Sequence, residues 1–112
     1  MGLFTSSETT NKRNQILQDI AVINRTLRDV ANIIEIQGIN GSSVNSITAI
    51  LTNIEANVVR MSSTVQSMSD SQLTGFTVPW MDGRYIGIMT WIASYGSVMN
   101  KTVSEIENYT RR

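Results

Sequence analysis

Apolar residues recur along this chain in alternating steps of four and three. The first third carries Ile16, Ile20, Ile23, Leu27, Val30 and Ile34. The second carries Val44, Ile47, Leu51, Ile54, Val58, Met61, Val65 and Met68. The last carries Met89, Ile92, Gly96, Met99, Val103 and Ile106, with a glycine in one slot. Such spacing averages about 3.5 residues, so each run lays one apolar stripe along a helix and turns it toward a neighbour. Three long helices are therefore expected.

The punctuation between the runs agrees. Thr5 and Glu8 have the Thr-x-x-Glu spacing of a capping box, and the first helix is expected to span about 6–37. Gly38 and Gly41 break it, and Ser42 or Ser43 is expected to cap a second helix over about 43–71. The serine-rich run from Ser62 to Ser71 keeps heptad register and is read as helix. Gly75, the sole proline Pro79 and Asp82-Gly83 mark an irregular aromatic connection over about 72–84. A third helix is expected over about 85–110. The short 38–43 loop favours an antiparallel hairpin of the first two helices. The expected fold is thus all-α: a single helical domain in which a long antiparallel hairpin and a third helix form a coiled-coil-like bundle.

With Val44, Leu51, Val58 and Val65 at heptad position a, position d holds Ile47, Ile54, Met61 and Met68. Leucine is absent from d, which points to a bundle of more than two helices. A second apolar strip on the first helix is read at Leu17, Ala21, Ile33 and Ile36, and a thinner one on the second at Ala49, Ala56 and Val59. Two strips on one helix require two neighbours. The fourteen seam residues of the first two helices are accordingly candidate contacts between chains as well as within one.

Composition narrows the function. Charged residues make up only 16% of the 112, and the formal net charge is zero. A surface so poor in charge suits contact with other protein. It offers no basic stripe for nucleic acid. Cysteine and histidine are absent, which removes thiolate nucleophiles, the commonest general base and the commonest metal ligand. The carboxylates Glu8, Asp19, Asp29, Glu35, Glu55, Asp70, Asp82, Glu105 and Glu107 never pair three or four apart, and they read as helix-surface charges. No catalytic residue, metal site or cofactor is expected. Sequons at Asn24, Asn40, Asn100 and Asn108 read as unmodified, since no signal peptide is visible. The size and early hairpin are similar to the small secreted helical hairpins defined by a Trp-x-Gly loop. The loop Gly38-Ile39-Asn40-Gly41 has no tryptophan, so membership is not assigned.

Two segments stand outside the seams. Residues 73–85 are apolar and poor in charge; Phe76, Trp80, Met81 and Tyr85, with Trp91 beyond, either plug the bundle or anchor a partner. Met1-Gly2-Leu3-Phe4-Thr5-Ser6 matches the myristoylation pattern at Gly2. The leading expectation is a non-enzymatic structural protein that oligomerises with itself or docks on other structural proteins, as a small, capsid-associated component of a virus or phage virion. The alternatives are a peripheral membrane protein, held by a lipid on Gly2 or by residues 85–100, and a soluble cytoplasmic helical adaptor or effector. On the lipid reading, protein made in a eukaryotic cell has an intact mass above the 12.4 kDa of the chain, and Gly2→Ala removes the excess; an unshifted mass overturns it.

Overall fold

A computed structural model describes residues 2–111, with side chains over 7–111. The described residues form an all-α helical bundle with one small β-hairpin. The order is α1 (Gly2–Gln37), α2 (Gly41–Asn53), α3 (Glu55–Gln66), α4 (Asp70–Leu73), β1 (Thr77–Pro79), β2 (Tyr85–Gly87) and α5 (Ile88–Thr110). The thirty-six residues of α1 span about 54 Å, nearly the 59 Å long axis of the molecule. α1 starts four residues before the expected Ser6. Thr5, expected to cap the helix, lies inside it instead, and Glu8 pairs with Lys12 at 3.2 Å; the Leu3-Phe4 tip and the candidate lipidation site Gly2 fall outside the residues whose side chains are described.

α1 ends where Gly38 turns to φ +70° and its amide donates to the Ile34 carbonyl. That left-handed turn is open to glycine at no steric cost. The next helix is capped by Asn40, not by the expected Ser42 or Ser43. The Asn40 side chain accepts from the Ser43 amide at 2.9 Å, and the Ser43 hydroxyl accepts from the Asn40 amide at 2.8 Å. Ser43 is thus the far half of a reciprocal capping box, and it is fully buried.

The expected single helix over 43–71 is three pieces. Thr52 donates its hydroxyl to the Thr48 carbonyl, a back-bond that bends helices, and two residues later Ile54 leaves helical geometry at φ −97°, ψ 1°. Ile54 stays in the core across the break, and both α2 and α3 pack on α1. Farther on, the serines overrule the heptad. The Ser67 hydroxyl donates to the Thr64 carbonyl at the end of α3, and Ser69 caps α4.

The aromatic connection contains a hairpin that the periodicity reading does not anticipate. β1 and β2 pair antiparallel, with Val78 opposite Ile86, around a turn at Asp82-Gly83. Asp82 accepts from the Arg84 amide and side chain, and these bonds hold its carboxyl below the usual range. Phe76, Val78 and Trp80 alternate inward and are buried. Of the two roles open to this segment, these three side chains are plugs. Met81 is half-buried and Tyr85 is exposed.

α5 starts three residues later than expected and lies between α1 and the α2–α3 arm, with Tyr109 reaching toward Gly41 at the start of α2. Its inward stripe is Ile88, Trp91, Tyr95, Val98 and Thr102, one position off the heptad read from the sequence. Trp91 is fully buried at the centre, edge-on to Trp80 and stacked on Tyr95. Its indole N–H donates to the Asn24 side-chain oxygen at 3.1 Å, and the Asn24 amide donates to the Pro79 carbonyl at 2.7 Å. Asn24 is therefore a buried clamp joining α1, the hairpin and α5, and its amide nitrogen is not free to carry a glycan. Asn24→Ala strands the Trp91 N–H and the Pro79 carbonyl. It is expected to cost about 3 kcal/mol, read as a fall in the urea midpoint with unchanged slope; a loss below about 1 kcal/mol would show that water replaces both bonds.

Candidate interaction surface

The residues assigned to the seams separate into two groups. Ile16, Ile20, Ile23, Leu27, Val30, Ile47, Ile54, Met61, Val65 and Met68 are buried within the chain. Ile34, Val44, Leu51 and Val58 are half-buried. The first two helices thus spend most of their seam on each other and on the hairpin. The second strip of α1 is split: Leu17 and Ile33 are half-buried, Ala21 is exposed and Ile36 is 81% exposed. On the arm, Ala49, Ala56 and Val59 all face solvent.

Polar residues fix the register of the interior. Asp19, expected on a helix surface, is 2% exposed. Its carboxylate accepts from Arg60 through Nη2 at 2.6 Å and Nε at 3.1 Å, and from Asn57 at 3.0 Å. The hydrogen bonds to Asp19, and then its charge, raise the Arg60 pKa above the ordinary value. This cluster ties α3 to α1. It has no pairing of acid and base beside a nucleophile. Among the described residues no three His, Cys, Asp or Glu gather as a metal would require.

What is left over lies on α5. The stripe Met89, Ile92, Gly96, Met99, Val103 and Ile106 keeps the three-four spacing but faces away from the α1 side of the core. Met89 is 59% exposed and Val103 43%, and the others are half-buried. Along the α2–α3 arm, Leu51, Val58 and Val59 meet this stripe across an open groove of about 440 Å³, with Tyr95 on its floor. The charged residues lining the groove are Glu55 and Glu107. The other side of α5 forms a smaller groove with α1, of about 300 Å³, lined by Glu35, Lys101 and Glu105 among apolar residues such as Val30, Ile34 and Val98. That groove is mixed in charge; the arm groove is acidic only.

No helix among the described residues is long and apolar enough to cross a membrane. Residues 85–100, read as a candidate membrane anchor, turn Ile88 and Trp91 into the core. Comparison with protein-family models, with curated proteins and with solved structures finds no match.

The groove floor titrates. Burial pushes the Tyr95 phenol above its usual 10.0. A raised acid pKa in the folded state means that the unfolded chain loses this proton first. The stability from the buried neutral phenol is full below about pH 10 and declines as pH rises through the folded value. Tyr95→Phe is therefore expected to flatten the alkaline decline in denaturation midpoint above about pH 10; an unchanged slope would place the titration elsewhere.

Proposed function

We propose that this chain is a non-enzymatic assembly module that docks through the outward heptad of α5 and the facing wall of the α2–α3 arm. The carrying observation is that the most regular apolar stripe of α5 is left partly bare, although Trp91 and its neighbours already fill the interior. Helices that face solvent alone carry one apolar stripe, and α5 carries two. The chain's low charge suits a surface that is covered in use. Its polar clusters are occupied in holding helices together and supply no reacting group.

The setting that fits such a module best is a particle built of many protein copies, as a small virus or phage virion component associated with the capsid. In gradient-purified particles from the source, the chain is expected to co-sediment with the major structural protein at a fixed ratio. Val59→Asp with Val103→Asp is expected to release it, because both side chains are exposed and the substitution spares the core. Wild-type chain that stays at the top of the gradient as a free 12.4 kDa species would overturn the proposal.

A further inference from the structure

We infer that the occupant of the arm groove is a basic amphipathic helix from a different protein, not a second copy of this chain. The inference rests on the docking reading above and names the partner's chemistry.

Shape argues for a helix. The groove runs between α5 and the arm, with Leu51 of α2 and Val58 and Val59 of α3 on one wall and Met99, Val103 and Ile106 on the other. From Tyr95 to Ile106 it covers about 17 Å, or about three turns of helix. Side chains spaced three and four apart on both walls leave holes that accept knobs from a further helix at the same spacing. Thr48 and Thr52 on the rim offer only short polar side chains, so backbone approach is not obstructed.

Charge argues for the partner's flanks. The ionised groups lining the groove are both carboxylates, Glu55 and Glu107, and both residues are exposed. Arg60, one residue beyond Val59, lines the adjoining hollow with Glu55 and Ala56 rather than the groove itself, and its half-exposed guanidinium is held by Asp19. Lys101 lines the opposite groove. A second copy laid face to face about a two-fold axis meets this surface with the same surface, since such interfaces are self-complementary. Four carboxylates would then border one apolar strip with no cation among the lining residues, and like charges across an interface select against the pairing. Among the described residues, the apolar helix face that a second copy leaves bare is the same outer stripe of α5, whose Glu107 brings a further carboxylate to the groove. The inner stripes of its α1 and of its α2–α3 arm are buried, and over 7–37 the outer turns of α1 are largely polar apart from Ala21, Ala31 and Ile36. A helix with apolar residues at heptad spacing and Lys or Arg beside them satisfies both the holes and the rim.

The test uses two synthetic peptides of about 14 residues, with leucine at heptad spacing and either Lys or Glu at the flanking positions. Each is titrated into the isotope-labelled full chain while amide and methyl shifts are recorded. The Lys peptide is expected to shift Leu51, Val58, Val59, Met99 and Val103, and the Glu peptide to bind about fivefold or more weakly. Glu55→Gln with Glu107→Gln is expected to remove that difference without altering the spectrum of the free fold. Equal affinity for both peptides, a footprint away from these residues, or no shift with either peptide at millimolar concentration would each overturn the inference. Light scattering of the free chain supplies the other arm. A monomer across the dilution series is expected. A dimer dispersed by Val59→Asp would show that a second copy fills the groove; it would overturn the basic-helix occupant and leave the docking reading intact, which stands or falls on the particle gradient.

Discussion

The molecule depends on one side-chain amide. Asn24 stands on the inner face of α1, four residues after Ile20 and three before Leu27, where an apolar residue would be the simple choice. There it accepts from Trp91 and donates to Pro79, so a single carboxamide satisfies two groups from elements made much later in the chain. A buried indole N–H needs an acceptor, and the only way for Trp91 to meet Asn24 is for α5 to take one particular rotation about its axis. Both stripes of α5 are apolar enough to pack. The hydrogen bond and the volume of Trp91 decide which one does, and hence which one is left to face outward.

The rest of the connection is held by the same device at lower cost. Irregular backbone presents carbonyls that no helix or sheet satisfies, and these need partners. α1 supplies them. Arg13 donates to the Gln72 and Thr74 carbonyls while its guanidinium lies over the Phe76 ring, and Arg28 donates to the Met81 carbonyl. Arg13 and Arg28 thus reach from α1 to the connection, and Arg60 reaches to Asp19, so no cation among the described residues lines the groove. The α2–α3 side of α5 is left with carboxylates. Internal backbone satisfaction and the acidic rim of the groove are two results of one distribution of nine cations and nine anions.

The sequence revealed the parts governed by spacing and withheld those governed by choice between neighbours. The four-three run from Ile16 to Val30, with Gly38 after it, suffices for α1 and its turn, because burial and the left-handed φ act on single residues. The break at Ile54 is hidden in the sequence, since the heptad passes through it unbroken. The strand signal at Phe76, Val78 and Trp80 was present as an alternation, but Pro79 inside so short a run masked it. Asp19 and Asn24 lie on the same face as the isoleucines around them, and that placement was the available sign that they are buried. The run from Met89 to Ile106 predicts only an apolar stripe turned toward some neighbour. A period does not say which way a helix is turned, and Ile88, Trp91 and Val98 occupy the interior instead.

The separation of 67 positions between Asn24 and Trp91 has a consequence for how the protein comes into being. α1 and the arm are joined by a short turn and can zip together as soon as both are made. In that nascent hairpin, Asn24 has no partner, and the inner face of α1 near Leu27 is open to water. Closure waits for the hairpin and α5. During synthesis, therefore, the most adhesive surface of the chain is not the groove of the finished molecule but the trough that α5 will later fill.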